Sequence, residues 1–154
     1  RTKADGYGPP ANWDLIAEAK SLLKLPAVGN GDILNVDDAL RMLRHTRCDA
    51  LMIGRGSVIN PFIFHEIQDH FSAKQHKRPW DVLVRYLNTY CAQIRPDSPP
   101  KIQMGKIKQL LSFLFRSHPQ LLPHRQDILR FALQDIEALV QHALPLLKPV
   151  FETE

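Results

Sequence analysis

Residues 25–56 read LPAVGNGDILNVDDALRMLRHTRCDALMIGRG, two short apolar runs that each close on a glycine-rich turn. Between them Asn35 has the chemistry of a helix N-cap. Asp37 and Asp38 follow in a first turn, where the helix dipole favours negative charge. Val36, Ala39, Leu40 and Leu43 recur at helical spacing, so a helix is predicted to bury these four and to stop near His45. The flanking runs, PAVGN ending its strand at Gly29 and DALMIG from Asp49 to Gly54, are too short and apolar for helices and read as buried strands. Strand, helix, strand in this order implies a parallel pair joined by a crossover helix.

Working outward, Asn12 is a predicted cap for a helix over 13–23, whose apolar stripe is Trp13, Ile16, Ala17, Ala19 and Leu23. Asn60 and Pro61 open a further helix through Phe62, Ile63, Ile67 and Phe71. Parallel sheets need cover on both faces, and two strands do not provide it. The chain opens with the polar stretch RTKADGYG, without methionine, which reads as a loop behind a missing strand. The expectation is therefore the C-terminal part of a longer α/β protein. Taken alone, such a piece is expected to expose strand edges and apolar strand residues (Val28, Leu51, Ile53) and to aggregate or stay partly molten.

After about Asp69 the character changes. SAKQHKRP is a polar link, and helices are predicted near 80–93, 101–117 and 124–144, broken at RPDSPP and SHPQLLP. The predicted division is residues 1–72 and 73–154. Totals fit a globular protein: 154 residues, 44% hydrophobic, 23% charged. No run is apolar for long enough to span a bilayer, no signal-peptide pattern opens the chain, and the expected location is the cytoplasm. Cys48 and Cys91 match no metal or redox spacing, and the seven histidines show no ligand pattern. Trp13 and Trp80 read as core anchors, and Tyr7 is placed to approach a bound base.

A net charge of +4 and a pI near 9.2 mildly favour a polyanionic partner. The charge is uneven: eleven basic residues lie between Lys74 and Arg130 against three acidic ones, Asp81, Asp97 and Asp127. Along 101–117, Lys101, Lys106 and Lys108 are expected near one another while Ile107, Leu110, Leu111 and Leu114 face a core. Such a face is either a solvated surface or a grip on RNA phosphates.

The strand-end turns carry the chemistry. Glycines let backbone N–H groups approach phosphate oxygens, and in eight-stranded βα barrels a phosphate site is frequently built by the loops after the last two strands. In GNGD and GRG, Gly29, Gly31, Gly54 and Gly56 clear the way, Asn30 donates and accepts, and Arg55 offers a guanidinium. Turn geometry alone also explains glycine at such positions. Asp32 is out of place beside a phosphate, so it either caps the next turn or holds hydroxyls of a ligand carrying both a phosphate and a polyol.

RTKADGYGPPANWDLIAEAK (1–20), PAVGNGDI (26–33) and CDALMIGRG (48–56) resemble the C-terminal part of the tRNA-dihydrouridine synthase barrel, with Arg1 and Thr2 kept from its His-Gly-Arg-Thr turn. MGKIKQLLSFL (104–114) is similar to the helical domain of the subgroup that modifies uridine 16 of the D-loop. The resemblance implies the end of a TIM (β/α)8 barrel followed by a small all-α domain. It implies an FMN-dependent enzyme, monomeric at full length, that uses NADPH to reduce the C5–C6 bond of uridine in tRNA. By motif, Asn30, Gly31 and Asp32 line the ribityl-phosphate, Gly54 and Arg55 hold the phosphate, and Lys106, Lys108 and Arg125 contact tRNA. The family's proton-donating cysteine belongs to an earlier segment. No catalytic residue and no metal site is therefore assigned here, the piece alone is expected to be inactive, and Cys48 and Cys91 are read as packing. Two alternatives stay open: another FMN or phosphate-binding barrel enzyme, and a non-catalytic RNA-binding remnant.

Overall fold

A computed structural model describes residues 6, 8–72, 76–132 and 135–152. Arg1, Thr2, Tyr7 and Lys74 lie outside the described residues. The chain divides into two units, residues 1–75 and 76–154.

In the first unit the order is α1 (Asp14–Leu22), β1 (Val28–Asn30), α2 (Val36–Thr46), β2 (Ala50–Met52), α3 (Arg55–Ile59) and α4 (Ile63–Phe71). The strands pair in parallel, with Val28 opposite Ala50 and Asn30 opposite Met52. Capping explains α2: the Asn35 side chain accepts from the Asp38 N–H at 2.8 Å, and Asp38 accepts in return from the Leu34 N–H at 3.1 Å. Asn12 acts one residue earlier than a cap, accepting from the Asp14 N–H at 3.0 Å. Asp49 fastens α1 and the entry to β1 to the entry of β2. Its Oδ2 accepts from Lys20 Nζ at 2.6 Å and from the Ala27 N–H at 2.7 Å. The hydrogen bond from Lys20, aided by the Ala27 amide, holds its carboxyl below the usual range.

The core of this unit is Ile33, Ala39, Met42 and Cys48, with Trp13, Ile16, Leu51, Ile53 and Ile67 packed against it. Two details of α2 differ from the sequence reading. Val36 and Leu43 are only half-buried, whereas Met42 and Thr46 are buried. Thr46 is there because its hydroxyl donates to the Met42 carbonyl at 2.8 Å and accepts from the Cys48 N–H at 3.2 Å. The helices cover one face of the sheet. On the other, Val28 and Met52 are 59% and 58% exposed, the exposure expected of parallel strands lacking half their cover. Leu51 and Ile53 are half-buried.

The second unit contains α5 (Trp80–Ala92), α6 (Pro100–Leu114), a 3-10 turn at Pro119–His124, α7 (Arg125–Arg130) and α8 (Ile136–Phe151). Its core draws on Leu83 and Leu87 from α5, Ile107, Leu111 and Leu114 from α6, Leu121, Ile128, and a stripe on α8. The single helix expected over 124–144 is instead two, and α8 runs on through Pro145 and Pro149. Leu139, Ala143, Leu147 and Phe151 are buried at a spacing of four, while both prolines are exposed, so the lost backbone hydrogen bonds are on the wet side. No helix among the described residues is long and apolar enough to cross a membrane.

Candidate functional site

Because β1 and β2 are parallel and in register, the turns that follow them leave the sheet side by side. Asn30, the last residue of β1, donates from Nδ2 to the Met52 carbonyl at 2.6 Å, tying the two strand ends together. Gly31 then takes φ +124°, which favours glycine, and a Cβ there would lie 2.5 Å from Ala11 Cβ. Its carbonyl accepts from Trp13 Nε1 at 3.0 Å. Asp32 follows at φ +51°, a left-handed conformation uncommon for a residue with a side chain.

Asp32 does not cap the next helix, since Asn35 does. One carboxylate oxygen accepts from the Ala11 N–H at 2.8 Å and the other from Arg55 Nη2 at 2.8 Å. The residue thus joins the segment before α1, the end of β1 and the start of α3. Arg55 sits in the first turn of α3, a short helix the sequence reading missed, because its five residues, RGSVI, offer no apolar periodicity. The Arg55 side chain is 43% exposed.

The four glycines separate into different roles. A Cβ on Gly29 would lie 2.7 Å from Cys48 Sγ and 3.2 Å from Met42, and one on Gly56 would lie 2.1 Å from the Ile33 carbonyl oxygen. Both are glycine so that the chain can pack on itself, a reason that needs no phosphate. Gly31 is set by its backbone and by Ala11. Gly54 alone has no such reason, for its Cβ would meet nothing within 4 Å.

Cys48 is buried in the core, and burial pushes the half-buried Cys91 thiol up. No cluster of metal-ligating side chains occurs among the described residues.

The basic residues of the second unit are less uniform than the sequence reading had them. At about 100° per residue, Lys106 lies about 140° around α6 from Lys101, and Lys108 lies almost directly above Lys101. The three do not form one patch. Lys106 is exposed, whereas Lys108 Nζ donates to the Leu129 and Phe131 carbonyls at 2.9 and 2.7 Å, closing the C-terminal end of α7. Arg125, at the other end of α7, is half-buried and donates from Nε to Ser112 Oγ at 2.9 Å. These two cations strap α7 to α6. Arg95 is paired with Asp97. Lys108→Met is therefore expected to lower stability by about 1–2 kcal/mol in chemical denaturation.

A profile of the family described as "Dihydrouridine synthase (Dus)" matches residues 1–142. A "tRNA-dihydrouridine(16) synthase" of Ralstonia nicotianae is 34% identical over 147 residues, 94% of this chain and 44% of the relative. Its counterpart in Shewanella oneidensis is 34% identical over 78% of this chain and 37% of its own length. A "Probable tRNA-dihydrouridine synthase 1" of Synechocystis is 40% identical over 60% of this chain and 25% of its own length. The chain spans less than half the length of these curated relatives. With the family's profile matching nearly the whole chain, this protein belongs to the dihydrouridine synthase family.

Proposed function

We propose that this chain is the C-terminal part of an enzyme that reduces uridine to 5,6-dihydrouridine in the D-loop of tRNA. The observation that carries the reading is the convergence of the two strand-end turns, joined by the Asp32–Arg55 pair at 2.8 Å, in a chain of this family. The bare sheet face with Val28 and Met52 is then the inner face of a (β/α)8 barrel whose other strands precede this segment. Residues 1–72 belong to that barrel and 73–154 to a helical RNA-binding domain.

The cluster suits a flavin mononucleotide tail. Gly54 opens onto free space, Arg55 is half exposed, and Asp32 holds Arg55 in place. In this reading Gly54 and Arg55 hold the phosphate, while Asn30, Gly31 and Asp32 line the ribityl chain. FMN, when bound, supplies the two-electron chemistry, with NADPH as the electron source. No residue of this chain is assigned proton transfer. Lys106 and Arg125 are the proposed tRNA contacts, Arg125 through the part of its guanidinium that Ser112 does not engage. The reading places the protein in the cytoplasm as a monomer, acting on uridine 16, the position in the names of the Ralstonia and Shewanella relatives.

The test is to purify the full-length protein, identify the flavin released on denaturation, and map dihydrouridine in tRNA from cells with and without the gene. Bound FMN and loss of dihydrouridine from position 16 in the deletion strain are expected. A flavin-free protein and an unchanged tRNA would overturn the reading in favour of an RNA-binding remnant.

A further inference from the structure

Beside the turn that follows β1, an open cleft of about 670 Å³ lies between the segment 10–14 and α2. Its chemistry comes from Trp13, Asp14, Arg41, Arg44 and His45, and Asp32 forms part of its wall. Arg41, Arg44 and His45 stand at i, i+3 and i+4 on α2 and so share one face of the helix. Trp13 is fixed by its bond to the Gly31 carbonyl, and the Arg41 guanidinium lies 5.5 Å from the centre of its ring. Asp38 anchors Arg41 at 2.6 Å, and the Arg41 side chain is 61% exposed. The result is a guanidinium that lies over an aromatic ring, tied to Asp38 and with most of its side chain exposed to a third group.

The charges narrow the occupant. Asp14 lies 2.6 Å from His45 Nε2 and Asp32 pairs with Arg55 at 2.8 Å, whereas Arg44 has no ion-pair partner among the described residues. A cleft that sets one unpartnered guanidinium beside two carboxylates does not concentrate multivalent anions. It suits a single phosphodiester together with a planar base, and its volume is that of a small-ligand site. Bases of unpaired RNA stack on aromatic rings and arginine planes, and arginine takes the backbone phosphate.

We propose that this cleft holds one unpaired nucleotide of the RNA substrate, outside the reacting centre. The base stacks on Arg41 over Trp13, and Arg44 takes the adjoining phosphate. The inference rests on the RNA-modifying reading above.

The test uses the full-length protein and an unmodified tRNA transcript, titrated at several salt concentrations, with flavin content and thermal melting as controls. Arg44→Gln should weaken binding about fivefold or more and lower the log–log salt slope by about one. Arg41→Lys keeps the charge but not the plane, and should weaken binding about fivefold or more without changing the slope. Both variants should keep parental flavin content and melting. Affinities within twofold of the parent for both variants would overturn the proposal. So would saturation of the cleft by free uridine monophosphate, lost in Arg44→Gln, with tRNA binding intact. A parent that binds tRNA without flavin would instead refute the enzymatic reading while leaving this site to be judged by the same two slopes.

Discussion

Arg55→Ala in the full-length protein is expected to weaken FMN binding about 10- to 100-fold, the effect of losing a charge-assisted hydrogen-bonded partner worth about 1.5–3 kcal/mol. The variant should purify largely colourless and regain flavin only at raised FMN concentration, while tRNA affinity stays within about twofold. The asymmetry follows from position: Arg55 stands at the strand ends beside Asp32, and the cations proposed to hold tRNA belong to other elements. Equilibrium dialysis against FMN and a tRNA titration provide the two numbers. Equal losses in both would mean that Arg55 is a structural member of the Asp32 cluster and not a phosphate ligand. Asp32→Asn separates the cases further. It retains an acceptor for the Ala11 N–H but removes the charge that orients Arg55, so part of the FMN loss should appear with little change in folding.

The second large effect concerns stability. Gly56→Ala would set a Cβ 2.1 Å from the Ile33 backbone oxygen and 3.0 Å from Ile53 Cγ2. Ile33 is in the core and its carbonyl cannot swing aside like a flexible side chain, so α3 must lift off the turn that follows β1. Overpacking of this kind costs about 3 kcal/mol, against about 1 kcal/mol gained from alanine's helix preference, a net loss of about 2 kcal/mol. Gly105→Ala is the control. Its Cβ meets nothing within 4 Å on α6, so only the helix preference remains and stability should rise by up to about 1 kcal/mol. Denaturant titrations of both variants in the full-length protein check the pair. A Gly56→Ala protein as stable as its parent would show that α3 is not seated as described.

The two substitutions share a lesson about reading glycine. GNGD and GRG present four glycines with one apparent meaning, yet three answer to the protein's own packing or backbone. Only the contacts around each Cβ separate them: Cys48 and Met42 for Gly29, Ala11 for Gly31, Ile33 for Gly56, open space for Gly54. Lysine shows the same ambiguity. Lys106 and Lys108 are two residues apart and chemically identical, but one is exposed and the other closes α7. A one-dimensional pattern records residue type and spacing, and these distinctions depend on groups distant in the chain.

What the amino-acid sequence determined by itself is local or periodic in origin. The cap at Asn35, the burial of Ala39 and Leu40 on α2, the parallel order of the two strands and the change of character after Asp69 all follow from backbone hydrogen bonding and hydrophobic spacing over short spans. The family motifs were equally legible, because each is contiguous. Tertiary structure alone decided that Asp32 reaches Ala11 and Arg55, that Arg125 and Lys108 strap α7, and that Trp13 and Arg41 meet across a cleft. Those contacts span 13 to 28 residues of chain, and no spacing rule encodes them. They exist because burying the faces of α1, α2 and β1 around Ile33 and Met42 in one unit, and of α6, α7 and α8 in the other, leaves each polar group only the partners that packing brings within reach.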